Sequence, residues 1–219
     1  MSHTVLRRLA ALLLVVSGGA AAAYDTPIGP DATAEAIRIG QWRTDRARAD
    51  YHRAYRSTVA RPPVDVVDVV TPFRRVVLAV EERVRLGGRA FRQQEAQAVL
   101  AGHGNMLDVV IELTFHPQNA YVGVPAYEVM LGRGSPAVVI PPARLQRVPR
   151  SGPRFDAGPT PSPYPAAPWL PSDGQPTLGG TVIASFDGAR LDPRAAYDVV
   201  VTEKGKELAR AFVDLASLR

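Results

Sequence analysis

Residues 107–116 read Leu-Asp-Val-Val-Ile-Glu-Leu-Thr-Phe-His, and their rhythm decides the fold. Leu107, Val109, Ile111, Leu113 and Phe115 alternate with Asp108, Val110, Glu112, Thr114 and His116. Successive side chains of a strand point to opposite faces, so the pattern predicts a β-strand with one face in an apolar core. Downstream, a second strand is expected at 126–131 with Tyr127, Val129 and Leu131 inward. Two short strands follow at 137–140 and 143–148, separated by Pro141-Pro142. Three more are expected at 180–186, 196–202 and 207–214, the last two as a hairpin, completing the sheet that begins at residue 107. Between them, residues 149–177 hold nine prolines in 29 positions. Such a stretch cannot join a sheet interior, so it is read as a surface excursion pinned by Trp169 and Leu170.

Upstream the period changes. The Val-rich run 64–70 reads as a strand, because β-branched side chains suit a pleated surface. Thr71-Pro72 then gives an N-cap followed by proline at the first helical position, where its missing N–H is no loss. Phe73, Val76, Val77, Val80 and Val84 form one helical stripe, while Arg74, Arg75, Glu81, Glu82, Arg83 and Arg85 point elsewhere, and Glu81-Glu82 is read as a solvated face. Glu81 is placed to pair with Arg85 one turn on. Gly87-Gly88 ends this helix, and residues 90–101 are a second one stopped by Gly102, giving a helical hairpin. Residues 33–58 lack proline and are rich in Ala and Arg, so a helix is predicted there too, weakened at Gly40. The fold class is therefore α+β: an antiparallel β-sandwich-like sheet with an N-terminal helix and a helical hairpin. An Arg-rich helical lead at 24–63 precedes a single domain at 64–219.

Leu191, Pro193, Tyr197, Val199 and Val201 lie in the stretch Leu-Asp-Pro-Arg-Ala-Ala-Tyr-Asp-Val-Val-Val. It resembles the L-x-P-x-x-x-Y-x-V-x-V pattern of fibronectin type III and related immunoglobulin-like sandwiches, across about 35 residues. The resemblance implies a tyrosine hydroxyl capping the chain at a corner between sheets, with its ring in the core. Leu191 and Tyr197 would then be buried and Val199 and Val201 would line the inner face. It carries architecture and no activity.

Residues 1–23 contain Arg7 and Arg8, an apolar run and small residues ending in Ala21-x-Ala23. That is the three-part pattern of a secretory signal peptide, and its core is too short to span a bilayer, which takes about 20 residues. Cleavage before Tyr24 would leave 24 basic and 21 acidic side chains, too even a balance for a strong polyanion preference. Export also argues against a nucleic-acid partner. The chain has no cysteine, which excludes disulfides, thiol chemistry and a lipid-modified cysteine. Arg outnumbers Lys 24 to 2, as in GC-rich bacterial genomes. A bacterial periplasmic, cell-surface or secreted protein is expected, with no membrane span after cleavage.

No nucleophile elbow or phosphate-binding glycine loop is present in the sequence. His103 and His116 are the candidates for a metal site, which would take a chelating set of ligands. Glu112 and His116 share a strand face but lie about 13 Å apart, so they cannot chelate one ion together. The favoured reading is turn and surface histidines, with no metal or other cofactor. Arg43, Arg46, Arg53 and Arg56, interleaved with Trp42, Tyr51 and Tyr55, read first as a solvated helix face. Their second reading is a contact for anionic lipid headgroups, acidic glycans or an acidic envelope partner. The function expected is a non-catalytic binding or structural module of unknown ligand. The alternatives are a loop-based hydrolase or metal-dependent enzyme, and a peripheral membrane protein held by the Arg-rich helix.

Overall fold

The computed structural model describes residues 27–151, apart from 89, 117 and 135–137, and residues 177–219. The expected segments at 1–23 and, for most of its length, 149–177 lie outside the described residues. Two helices open the described chain, α1 (Pro30–Gly40) and α2 (Asp45–Arg53), followed by strands β1 (Arg56–Arg61) and β2 (Val64–Val70). The helical hairpin is α3 (Pro72–Arg85) and α4 (Gln93–His103). Then come β3 (Met106–Thr114), β4 (Tyr127–Arg133), β5 (Val138–Ile140) and β6 (Arg144–Ser151). The last strands are β7 (Thr177–Asp187), β8 (Ala196–Glu203) and β9 (Lys206–Asp214).

Every strand pair is antiparallel. One sheet has the order β1-β2-β3-β7-β6, the other β5-β4-β8-β9. The strands after residue 105 thus make two sheets rather than one, and β5 and β6 divide between them on either side of Pro141-Pro142. Alternate residues of both sheets face a shared interior: Val67 and Val69, the odd-numbered residues of β3 from Leu107 to Leu113, Val129 and Leu131, and Val199 and Val201. Ile111 and Tyr197 belong to this same core. At the entrance to β8, the Tyr197 hydroxyl accepts a 2.7 Å hydrogen bond from the Asp192 N–H. Leu191 is buried beside it.

The helices have a smaller core of their own. Phe73, Val76, Val77 and Val80 pack against Ala36 and Ile39 of α1, Ala96 of α4 and Phe91. The predicted stripe is right for four of its five members, but Val84 is 43% exposed. Thr71 caps α3 as expected, its hydroxyl accepting from the Arg74 N–H. The second helix of the hairpin runs past Gly102 and stops at Gly104, whose φ of +60° suits glycine.

The predicted lead is the least accurate part. Its single helix is two helices, and residues 56–61 are an edge strand, with Arg56 opposite Asp68. A boundary at residue 63 therefore falls inside the β1–β2 hairpin. Gly40 is the last residue of α1, and that helix crosses α3 closely there. A Cβ at Gly40 would lie 2.6 Å from the Val80 Cβ and 2.8 Å from the Val77 carbonyl oxygen.

Candidate functional site

The densest cluster of chemically capable groups lies in the seam between the helices and the five-stranded sheet. Asp68 and Asp108 alternate with core-facing neighbours and so project from the sheet face opposite the sandwich interior. Two consecutive arginines at the start of α3 meet them. Arg74, 3% exposed, grips both Asp68 oxygens and donates to the Val69 carbonyl at 2.6 Å. Arg75 reaches Asp108 at 2.5 Å and the Met106 carbonyl at 3.2 Å. The helical pattern places both side chains off the apolar stripe and does not show their partners. They are buried because the sheet supplies a carboxylate to each, and a buried guanidinium requires such a partner.

Arg74 also fixes a histidine. Its Nε–H donates to His52 Nδ1 at 3.2 Å, while His52 Nε2 lies 3.0 and 2.9 Å from the two Glu81 oxygens. Because Nδ1 must accept, the network assigns the ring proton to Nε2, which donates to Glu81. Glu81 thus pairs with His52, 29 residues away, and the expected Glu81–Arg85 contact is replaced by Glu82–Arg85. The Arg74 guanidinium stacks 4.8 Å from the centre of the Tyr55 ring. Tyr55 receives a hydrogen bond from the Tyr51 hydroxyl and donates to the Arg219 carbonyl, which Thr71 also approaches. Burial, then the neighbouring Tyr55, pushes the Tyr51 phenol above its ordinary range, keeping it a donor.

This cluster ties α2 and α3 to the five-stranded sheet. Both ring nitrogens of His52 have partners within the protein, Arg74 at Nδ1 and Glu81 at Nε2. An open groove of about 490 Å³ borders Glu81, lined also by Arg48, Leu78, Glu82, Val84 and Arg85. Arg48 and Arg85 there are already paired with Asp45 and Glu82.

The structure does not bring the metal candidates together. His103 closes α4 just before β3, and His116 lies just beyond the other end of that strand. Eight residue steps of β3 alone span about 26 Å, so the two cannot share an ion. His116 Nδ1 instead accepts from the Gln118 N–H in its turn. Among the described residues no group of three or more Asp, Glu or His side chains is arranged to hold a metal. No described helix is long and apolar enough to cross a membrane.

The arginine candidates divide. Arg46 and Arg53 share Asp50 on the outward side of α2, and Arg56, on β1 rather than a helix, pairs with Glu112 at 2.8 Å. Arg43, between α1 and α2, has no ion-pair partner among the described residues.

A second surface has no signal in the helical half. On the outer face of the four-stranded sheet, Val139, Gly132, Asp198 and Phe212 form one cross-strand row. Val139 is 53% and Phe212 66% exposed. Compared with known proteins, the chain matches no family model, no curated protein and no solved structure.

Proposed function

We propose that the chain is an exported bacterial envelope or secreted protein whose sandwich, of the fibronectin and immunoglobulin type, serves as a non-catalytic binding or structural module. Strand order carries this reading. In immunoglobulin-type sandwiches strands A, B, E and D make one sheet and C, F and G the other. β2-β3-β7-β6 and β4-β8-β9 run in that order, with β1 and β5 as added edges. Tyr197 stands at the start of the F-equivalent strand and bonds back to the backbone five residues upstream. The helical hairpin is an insertion between the first two strands of that order.

Export rests on residues 1–23. Expression of the full chain in a bacterial host, followed by fractionation and intact-mass analysis, tests it. The expected product lies outside the cytoplasm and begins at Tyr24. A cytoplasmic product retaining residues 1–23 would overturn the export reading. Elemental analysis tests the non-catalytic assignment against the metal-enzyme alternative. Stoichiometric zinc or calcium in the purified protein would reverse it.

A further inference from the structure

β6 carries three arginines, Arg144, Arg147 and Arg150, along the outer edge of the five-stranded sheet. None of them meets a carboxylate among the described residues, whereas Arg38, Arg46, Arg53, Arg56, Arg85 and Arg210 all do. Two of the three are held by neutral acceptors instead. Arg147 Nη2 donates to the Tyr127 carbonyl at 2.8 Å. Arg150 reaches across β7, its Nη2 donating to the Leu113 carbonyl at 3.2 Å and the Thr114 hydroxyl at 3.1 Å. Gly179, on the intervening strand, clears that path. A Cβ there would lie 2.7 Å from Arg150 Nη2 and 2.2 Å from the Leu113 carbonyl oxygen. Arg144 makes no hydrogen bond or ion pair among the described residues.

Acids in the neighbourhood are engaged elsewhere or out of reach. Glu112 pairs with Arg56 and Asp108 with Arg75, while Asp187 accepts from the Ala189 N–H and Glu128 from the Thr202 hydroxyl. Glu203 stands in register with Tyr127 but beyond ion-pair distance of Arg147. The even charge balance of the whole chain therefore conceals a local row of positive charge. Edge strands carry inward charge and proline to block pairing with another chain, and Arg147 and Pro149 suit that purpose. Blocking does not account for a guanidinium laid across β7, nor for three in a row without a counter-charge.

We propose that β6 binds a linear acidic polysaccharide, whose successive carboxylates pair with Arg144, Arg147 and Arg150. The row runs about 20 Å over six residue steps, a length suited to a polymer rather than to one small anion. A planar guanidinium meets a carboxylate through two parallel N–H donors, and one already anchored loses less freedom on pairing. The side chains between the arginines choose among polyanions. Leu145, Gln146, Val148 and Pro149 offer no aromatic ring on which a nucleic-acid base could stack. Arg147 points to the opposite face from Arg144 and Arg150, so the three wrap the strand edge instead of forming the single plane that meets a membrane surface. Gln146, on the same face as Arg144, adds an amide that bonds sugar hydroxyls.

The inference rests on reading the sandwich as a binding module, and its test fails separately from that of export. An exported chain that ignores polygalacturonate refutes this proposal alone, and a cytoplasmic product that binds it refutes export alone. The purified protein is titrated with polygalacturonate at about 50 mM and about 200 mM salt, with binding expected at the lower concentration and weakened by screening at the higher. Replacing Arg144, Arg147 and Arg150 together by Gln is expected to weaken binding at least about tenfold. Replacing Arg46, Arg53 and Arg85 by Gln removes the same charge from side chains that already hold carboxylates, and should change it less than about twofold. Arg144→Gln alone breaks no hydrogen bond, keeps the test valid if the triple variant folds poorly, and is expected to weaken binding about threefold. No binding at the lower salt would overturn the proposal, as would equal losses in the two triple variants or an unchanged Arg144→Gln. Tighter binding to phosphatidylglycerol vesicles or to a single-stranded oligonucleotide than to polygalacturonate would overturn the polysaccharide assignment.

Discussion

Arg74 illustrates what a single residue can hide. Its neighbours in sequence show only that it lies outside the apolar stripe of its helix. Its partners are six residues back, on β2, and 22 residues back, at His52. Helical periodicity reports only which side of a helix is apolar, and is silent on a carboxylate waiting on another element. The same blindness concealed Arg75, Glu81 and His52. Removing one member of a buried pair strands the other charge, at a cost of about 3–5 kcal/mol. Asp68→Asn is therefore expected to destabilise the protein by about that amount in chemical denaturation. Asp65→Asn, on the same strand and without an ion pair among the described residues, should change stability by less than about 0.5 kcal/mol. The combined replacement of Arg74 by Met and Asp68 by Leu should recover only part of the loss: no charge is then left alone, but the Val69 carbonyl and His52 Nδ1 lose their donor.

At the scale of elements, legibility followed the number of faces buried. β2 and β3 are central strands, and their Val-rich or alternating runs placed them almost to the residue. Proline pairs and glycines bounded the remaining strands. β1 was missed because it is an edge: its Arg-Ser-Thr-Val-Ala-Arg sequence has no alternating apolar face, and its ladder runs to β2 on one side only. Gly40 was read as a weak point of a long helix, whereas it lets α1 and α3 touch. Gly40→Ala, usually favourable in a helix, should here cost about 1–3 kcal/mol, since Val80 and the Val77 carbonyl must move. A thermal melt showing equal or greater stability would contradict that crossing. Tyr197→Phe keeps the ring but leaves the Asp192 N–H without its acceptor, at an expected cost of about 1–3 kcal/mol. Of the candidate surface, only Phe212 could have been singled out from sequence, as an apolar residue out of phase with Ala209, Ala211 and Val213. That Val139 and Gly132 share its row depends on pairings across sequence separations no local pattern encodes.

Taken whole, the molecule is a sandwich with a helical annex, each with its own apolar interior, joined by ion pairs. Its exposed carboxylates set how it meets acid. The Arg194 N–H, aided by Arg133, holds Asp192 below the usual carboxylate range, while Arg85 and Arg210 do the same for Glu82 and Glu207. A depressed folded-state value stabilises above the unfolded carboxylate range and is lost as pH falls through the lowered folded value. Melting temperature should thus be flat from neutrality down to about pH 5 as far as these groups are concerned, then fall below about pH 4. Asp192→Asn should remove a small part of that acid-limb decline. The effect is modest because these groups are solvated and screened.

Ser151 and Thr177 are cross-strand partners, so the chain departs from the five-stranded sheet and rejoins it at adjacent points. Whatever is spliced between two such neighbouring ends leaves the ladder of β6 and β7 in register, and each doubling of its length adds only about 0.6 kcal/mol of closure entropy. That junction is a natural grafting port, where evolution or an engineer can exchange cargo while the scaffold stays the same.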